Sequence, residues 1–557
     1  MLYERNTKRM NGLRRAAVCL ALALVAVLPA AAGGRIHERT ISVVPCPETL
    51  IRRPGRCLLT ERTSLLLSDR SLESVAGYFT EKIARSSGID LKERREAGNT
   101  LALRLDTQRG IPEEGYELTV APDGIELVAS TGAGIFYGMQ TLMQLLPAGI
   151  ESPTPIPGME LSIPCVEIRD APRMAYRGVM LDACRHFSTV EEIEKLLDVM
   201  AMYKLNKFHW HLTDEPGWRI EIKRYPKLTT EGAVGNWHDP KAPATFYTQE
   251  EIKEIVAYAA DRHIMVVPEF DMPGHATAVC RSYPEISGGG EGKWQHFTFH
   301  PCKEETFEFI SNVLDEIVAL FPSPYIHIGG DEVHYGNQSW FTDPEIQQFI
   351  KDKNLGNETG LEQYFIRRAA DIVASKGKTM IGWDEMIDAG VSPDKAVIMW
   401  WRHDRKHQLV KALENGYRVI MTPRRPLYAD FVQYGGHKVG RVWGGYNTIE
   451  DIYRFPEPII HLTRDYEDQV MGLQFSLWTE RVADAKRLDY MTFPRLVAVA
   501  ESAWTPAKSK ECSLFMQKLP YFLRFLGEKG IYYFNPFNPE STPEPSAPDK
   551  DDVLKNG

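Results

Sequence analysis

The chain has 557 residues, of which 43% are hydrophobic and 25% are charged, and its formal net charge is −10. This composition is typical of a folded globular protein with ample material for a large core. No Lys/Arg-rich block occurs after the first fifteen residues, so the charge pattern argues against a nucleic-acid partner, which requires clustered positive charge.

Residues 1–32 are predicted to be a secretory signal peptide. Five basic residues precede an apolar run from Ala16 to Ala32, which ends in small residues suited to cleavage. A membrane anchor is the alternative, but the run is short for a span. Cleavage predicts an exported protein of bacterial type, periplasmic or extracellular. No later segment predicts a stable membrane span in the mature chain.

Export permits disulfide bonds, and seven cysteines follow the predicted signal peptide. None of them forms a C-x-x-C pair, so the spacing indicates neither a zinc site nor a redox motif. Pairing of Cys46 with Cys57, or of Cys280 with Cys302, stays open. We expect most of these cysteines to be buried free thiols, and the odd number leaves at least one unpaired.

Residues 35–172 are predicted to form a small α+β domain. Apolar and polar residues alternate from Leu101 to Asp106, which is typical of a half-buried strand. Residues 115–120 and 125–130 flank a turn of sequence Ala-Pro-Asp-Gly and predict a hairpin. A helix with one apolar face is predicted to follow, because apolar residues recur from Ile135 to Leu146 at helical spacing.

From residue 173 to residue 507, short apolar runs alternate with amphipathic helical stretches, a pattern that indicates βα units and a parallel sheet. The eight runs are Arg177–Asp182, Lys207–Asp214, Ile264–Asp271, Tyr325–Glu332, Thr379–Glu385, Ala396–Arg402, Arg418–Pro423 and Met471–Glu480. Eight units predict the α/β class and a (β/α)8 TIM barrel. A C-terminal helical extension is predicted for residues 508–534. The tail, residues 535–557, is rich in Pro, Ser and acid and is predicted to be disordered.

Most of the runs end in acidic or aromatic residues, and in a parallel barrel these ends converge on one mouth where ligands bind. The fourth run ends in His327-Ile328-Gly329-Gly330-Asp331-Glu332. Two close carboxyls suit cleavage of a glycosidic bond, because their mutual repulsion keeps one protonated while the other is ionised. Neighbouring strand residues face opposite sides, but the two glycines allow the backbone to leave strand geometry. A helix N-cap is the structural alternative for an isolated Asp-Glu pair.

Several ordered motifs, together with this one, resemble those of the family 20 glycoside hydrolases, the β-N-acetylhexosaminidases. In the small domain the similar segments are Gly115-Tyr116-x-Leu118 and Gly138-Met139-Gln140-Thr141-Leu142. In the barrel they are Leu181-Asp182-x-x-Arg185-His186-Phe187, residues 209–215, residues 268–275, Gly382-Trp383, Trp400-Trp401, Tyr428-Ala429-Asp430 and Leu477-Trp478-Thr479-Glu480. The resemblance covers most of the mature chain.

The resemblance implies an exo-acting hydrolase that removes terminal β-linked N-acetylglucosamine or N-acetylgalactosamine from an oligosaccharide or glycoconjugate. Glu332 would be the general acid and then the base. Asp331 would orient the substrate's own 2-acetamido group, whose carbonyl oxygen attacks the anomeric carbon to give an oxazolinium intermediate. Tyr428 would bind the acetamido oxygen. The resemblance implies no cofactor and no metal.

The resemblance also assigns the remaining site residues. Trp383, Trp401 and Trp478 would wall the pocket, and Arg185, Asp430 and Glu480 would bind sugar hydroxyls. Asp214 and His275 would support the catalytic pair. The roles of Glu269 and Asp271 stay open.

The same residues could have simpler structural roles. Arg185 could be a structural ion-pair partner, Asp214 a loop acid, and the tryptophans core residues. His209 and His211 are expected to be core histidines.

Two other functions compete with this interpretation. A metal-dependent hydrolase is suggested by the spacing His209-x-His211 on a strand. A noncatalytic sugar-binding protein on the same barrel is the second alternative, although the intact Asp331, Glu332 and Tyr428 favour an enzyme.

Overall fold

The structure is a computed structural model and describes residues 41–94 and 98–547. The predicted signal peptide and the last ten residues of the tail lie outside the described residues. Within the described part of the chain, no helix is long and apolar enough to cross a membrane. All seven cysteines from Cys46 to Cys512 are free thiols, so neither of the two pairings left open by the sequence is formed.

The small domain is a six-stranded sheet with the order β1-β6-β4-β5-β3-β2. Its strands are β1 Thr49–Leu59, β2 Thr63–Leu67, β3 Asn99–Leu105, β4 Tyr116–Ala121, β5 Gly124–Ala129 and β6 Leu161–Asp170, and its helices are α1 Glu73–Ser87 and α2 Gly132–Leu145. The hairpin β4–β5 is antiparallel, as its turn predicts. Helix α2 begins after Thr131, whose side chain accepts a hydrogen bond from the Gly134 backbone N–H. It packs directly on the sheet: a Cβ at Gly138 would lie 2.3 Å from Leu127.

Eight parallel strands close the predicted barrel in the order β7-β8-β11-β12-β13-β14-β15-β16. These strands are β7 Tyr176–Asp182, β8 Lys207–His211, β11 Met265–Glu269, β12 Tyr325–His327, β13 Thr379–Trp383, β14 Ala396–Trp400, β15 Arg418–Met421 and β16 Val470–Leu477. A short pair, β9 Thr213–Asp214 and β10 Gly217–Trp218, follows β8. Each barrel strand coincides with one of the eight predicted runs, and most end before their run does. The residues beyond the strand ends are therefore free to form loops at the mouth.

Helices cover the outside of the barrel and follow the strands. They are α3 Val190–Met202, α4 Gln249–Ala260, α5 Thr277–Ser282, α6 Glu304–Leu320, α7 Pro344–Asp352, α8 Glu358–Ser375, α9 Lys406–Glu414, α10 Arg424–Leu427, α11 Ile449–Arg454, α12 Ala485–Thr492 and α13 Arg495–Trp504. Helices α3 and α4 begin with reciprocal caps, in which Thr189 pairs with Glu192 and Thr248 with Glu251.

The C-terminal extension contains helix α14, Cys512–Glu528. The tail after it was predicted to be disordered because of its composition, but residues 535–547 pack against the barrel. The Glu544 carboxylate accepts hydrogen bonds from the backbone N–H groups of Lys438 and Val439, and Tyr532 donates one to the Pro543 carbonyl. Specific polar contacts, which average composition does not register, therefore hold this part of the tail.

Candidate active site

The predicted site residues surround a cavity of about 360 Å³ at the C-terminal mouth of the barrel. Ten of the eleven line it: Arg185, Asp214, His275, Asp331, Glu332, Trp401, Tyr428, Asp430, Trp478 and Glu480. A larger cleft of about 800 Å³ is lined by Lys207 and Met265, the first residues of β8 and β11, and by none of the eleven. The mouth is therefore the candidate site, since barrel ligands bind at the C-terminal strand ends.

Asp331 and Glu332 reach the same cavity because the backbone leaves strand geometry directly after β12. Both glycines before them have positive φ, and φ of Glu332 is +50°. A Cβ at Gly329 would lie 1.6 Å from the Asp271 Oδ1 atom, so only glycine fits there. Both carboxylates consequently lie near the His275 Nε2 atom, at 3.8 Å for Asp331 and 3.7 Å for Glu332.

The two acids differ in environment. The Glu332 side chain is 31% exposed, whereas Asp331 is buried. Burial and the charge of Glu332 raise the pKa of Asp331 to about 7, although the charge of His275 opposes the shift. Asp271, fully buried behind it, has a pKa well above its usual range because of burial and the charge of Asp331. The pair therefore offers one carboxyl at the opening and one in the interior.

A chain of alternating acids and imidazoles leads from the barrel core to the pair. The Glu269 carboxylate bonds to His211 Nδ1, and His211 Nε2 lies 2.8 Å from Asp214. The other oxygen of Asp214 lies 3.1 Å from His275 Nδ1. Burial alone would lower the pKa of His275, but Asp214 and Glu215 beside it raise the pKa well above its usual range. These neighbours favour the protonated form of His275, which lies beside the carboxyls of both Asp331 and Glu332.

The same contacts bear on the alternative of a metal site at His209 and His211. Both ring nitrogens of His211 face carboxylates, Asp214 and Glu269, which raise its pKa well above the usual range despite its burial. His209 Nε2 lies 3.0 Å from Glu269 and its Nδ1 lies 3.1 Å from the Gln474 amide nitrogen. All four ring nitrogens thus face polar groups of the protein, an arrangement expected of core histidines.

Charged side chains surround the deep end of the cavity. Arg185 is buried, its guanidinium lies 2.6 Å from Asp214 and it sits 5.0 Å above the Trp478 ring. It is thus an ion-pair partner and a lining residue at once. Arg441, which the sequence did not single out, bonds to both Asp430 and Glu480.

Four buried carboxylate oxygens of residues that line the cavity accept no hydrogen bond from the described residues: Glu215 Oε2, Asp331 Oδ1, Asp430 Oδ1 and Glu480 Oε2. Burial raises the pKa of Asp430 to about 6 although Arg441 opposes the shift. Buried polar atoms normally have partners, so this arrangement suits a ligand that brings several hydroxyl or amide donors.

Aromatic rings form the wall of the cavity. Trp401 and Tyr428 stack at a centroid distance of 6.4 Å with an angle of 10° between their planes, and Trp478 lies 6.1 Å from Tyr428. Trp401 is fixed because its Nε1–H donates to Glu385. Trp383 is only 1% exposed and lies 6.0 Å from Trp478, so it supports the wall from behind and does not line the cavity.

The rim carries aromatic residues that the sequence argument missed. Trp294 and Tyr335 stack in parallel, 5.1 Å apart, and Tyr335 is 39% exposed. Trp237 and Trp443 are also exposed at the rim. Tyr335 follows Glu332 by three residues, and the charge of Glu332 raises the pKa of the tyrosine. Only its closeness in sequence to Asp331 and Glu332 could have indicated Tyr335.

Comparison with known proteins finds relatives of both domains. The family model described as "Glycosyl hydrolase family 20, catalytic domain" matches residues 174–507, and that for "Glycosyl hydrolase family 20, domain 2" matches residues 40–171. A beta-hexosaminidase of Porphyromonas gingivalis is 37% identical over 534 residues, which are 94% of this chain and 68% of that protein.

Two solved structures are also similar. The β-N-acetylhexosaminidase of Streptomyces coelicolor A3(2) has a TM-score of 0.79 and 32% identity, with 89% of this chain and 97% of that chain covered. The exo-β-N-acetylglucosaminidase of Vibrio harveyi, solved in complex with N-acetylglucosamine, has a TM-score of 0.80 and 30% identity, with 89% and 78% covered.

Proposed function

We propose a specific reaction for this chain, which belongs to glycosyl hydrolase family 20 because the family's catalytic-domain model matches residues 174–507. It is a β-N-acetylhexosaminidase that removes terminal, non-reducing β-linked N-acetylglucosamine or N-acetylgalactosamine. The observation that carries the proposal is the set of buried carboxylate oxygens without partners in the described chain, beside an acid at the cavity opening.

The substrate's acetamido group is the nucleophile. Its carbonyl oxygen attacks the anomeric carbon while Glu332 gives a proton to the departing glycosidic oxygen. Asp331 Oδ1 accepts the acetamido N–H, and Tyr428 donates its hydroxyl proton to the acetamido oxygen. The oxazolinium ring that forms is positively charged, and a nearby positive charge favours the ionised form of Asp331.

Glu332, now a carboxylate, then takes a proton from the water that opens the oxazolinium ring. Because the amide attacks one face and water attacks the opposite face, the β configuration is retained. His275 stays beside Glu332 in both steps, and Asp214 and Glu215 next to its ring favour its protonated form.

The shape of the cavity accounts for removal of one terminal sugar. Asp430, Glu480 and Arg185 occupy the end of the cavity and bind the hydroxyls of that sugar. The leaving group lies beside the proton donor, which directs it toward Trp294 and Tyr335 at the rim. The natural substrate is an oligosaccharide or glycoconjugate with a terminal β-linked N-acetylhexosamine. We further propose that the protein is exported to the periplasm or the extracellular space, on the strength of the N-terminal apolar run from Ala16 to Ala32.

A pair of aryl β-glycosides that differ only at C2 tests the reaction. We expect kcat/KM for the N-acetylglucosaminide to exceed that for the plain glucoside by at least about 100-fold, because the glucoside lacks the intramolecular nucleophile. Equal rates, or a trapped covalent adduct between the sugar and a protein carboxylate, would refute neighbouring-group participation. Absence of turnover with tight binding of the N-acetylglucosaminide would instead support the sugar-binding alternative.

A further inference from the structure

The C-terminal tail contacts a loop that carries part of the substrate pocket. We define this loop as residues 432–446, which lie between Phe431 and helix α11. The Glu544 carboxylate accepts hydrogen bonds from two successive backbone N–H groups of the loop, Lys438 at 2.6 Å and Val439 at 3.1 Å. A hydrogen bond to a charged acceptor is about twice as strong as a hydrogen bond between neutral groups.

A buried arginine joins the tail to the same loop. Arg487 is fully buried, and both terminal nitrogens of its guanidinium lie 3.3 Å from Glu544. It also donates to the carbonyl oxygens of Val439 at 2.9 Å and of Arg481 at 2.6 Å. Glu544 therefore supplies the carboxylate for a guanidinium that binds two separate segments at once.

Both segments carry polar groups of the pocket. Arg441 follows Val439 by two residues, and Glu480 directly precedes Arg481. The Arg441 guanidinium bonds to Glu480 and Asp430 in the cavity, and its backbone N–H donates to the Asp430 carbonyl at 3.0 Å. The tail thus fixes the two backbone segments from which the Arg441–Glu480 pair extends.

Elsewhere the loop is held by other groups: the Val432 backbone N–H donates to the Arg441 carbonyl, and the Gln433 amide donates to the Tyr490 carbonyl. It contains five glycines, which lose much conformational freedom when they are ordered, and Tyr434, Trp443 and Tyr446 are about 40% exposed or more. Glu544 adds anchors at Lys438 and Val439, directly before the residues that lead to Arg441.

We propose that Glu544 is a positioning residue for the substrate pocket: through Lys438, Val439 and Arg487 it holds Arg441 and Glu480 where they recognise sugar hydroxyls. The inference rests on the proposed function, since it assumes a sugar in the cavity. Glu544 is far outside the motifs of the barrel and acts from the tail.

Replacement of Glu544 by Gln tests the proposal, because the amide keeps the volume and removes the charge. Glu540→Gln is the matched control, since Glu540 lies in the same tail and is exposed. The substrates are an aryl β-N-acetylglucosaminide and its 3-, 4- and 6-deoxy analogues, measured with the full-length chain.

We expect Glu544→Gln to lower kcat/KM for the parent substrate about 10-fold, mainly through KM, as for couplings transmitted by such networks. For the deoxy analogue that lacks the recognised hydroxyl, the same variant should lower kcat/KM less. The ratio of kcat/KM between the parent substrate and that analogue should therefore shrink. Glu540→Gln leaves both values unchanged.

An equal loss on all four substrates, or no loss, would overturn the positioning role. If Glu544→Ala, the harsher change, unfolds at the assay temperature, the isosteric Gln variant still decides the question. A wild-type chain that hydrolyses none of the four would overturn the proposed function itself, and the positioning role with it.

Discussion

Replacing Glu332 by Gln removes the proposed proton donor and little else. Gln has the same shape, and the side chain is partly exposed, so the fold should persist. Loss of a general acid costs about 10²- to 10⁴-fold in rate, or about 2.7 to 5.4 kcal/mol in barrier height. We expect the loss of rate to fall in the upper half of this range. The His275 Nε2 atom lies 3.7 Å from Glu332, which is too far for a good hydrogen bond, and Asp214 holds the ring through its Nδ1 atom, so His275 does not replace the acid.

The leaving group distinguishes this role from a general loss of the site. A methyl β-N-acetylglucosaminide needs protonation, whereas a dinitrophenyl one departs unaided. Glu332→Gln should therefore lose most of kcat/KM on the methyl substrate and far less on the dinitrophenyl substrate, because kcat/KM reports the first, acid-assisted step and not the later opening of the oxazolinium ring. Asp331→Asn, which disturbs the nucleophile, is the control and should lose activity on both. A similar loss for both substrates with Glu332→Gln would refute its assignment as the acid.

Two further predictions concern stability and the rim. Glu269→Gln should lower the free energy of unfolding by about 3 to 5 kcal/mol at pH 7, because it leaves His211 without one of its two buried carboxylates. Burial alone would raise the pKa of Glu269, but the histidines hold it well below its usual range, so this stabilisation exists above about pH 4.3 and is lost on acidification. Denaturant titrations should show wild type and variant converging as the pH falls; a constant difference would contradict the argument. At the rim, Trp294→Ala should reduce kcat/KM about 2- to 10-fold for a disaccharide substrate but not for the methyl glycoside, and equal effects would place the leaving sugar elsewhere.

The sequence predicted the barrel because each strand carries its own apolar run and because βα alternation is a local pattern. It also predicted that Asp331 and Glu332 lie together at the barrel mouth, since the two preceding glycines allow the backbone to leave strand geometry. Arg441 escaped prediction because it has no motif around it. Its importance arises from a contact with Glu480, thirty-nine residues later in the chain.

Trp383 shows the opposite case. The family resemblance assigned it to the pocket wall, but its side chain is buried beside Trp478 and is not among the residues that line the cavity. The tail illustrates a limit of composition: Pro, Ser and acid predict disorder on average, whereas one carboxylate, that of Glu544, meets two N–H groups and a guanidinium. Such contacts depend on the tertiary structure and not on local sequence.

The order of charges explains how so many ionisable groups can be buried at one mouth. From the core outward, Glu269, His211, Asp214 and His275 alternate in sign, so each carboxylate is neutralised by an adjacent imidazolium and the cost of desolvation is offset locally. The alternation ends at two carboxyls that share one imidazolium. Burial and the charge of Glu332 raise the pKa of Asp331, and the charge of His275 opposes this shift. The positive charge of the oxazolinium favours an ionised Asp331 beside it, so the proposed site stabilises the intermediate more than the neutral substrate.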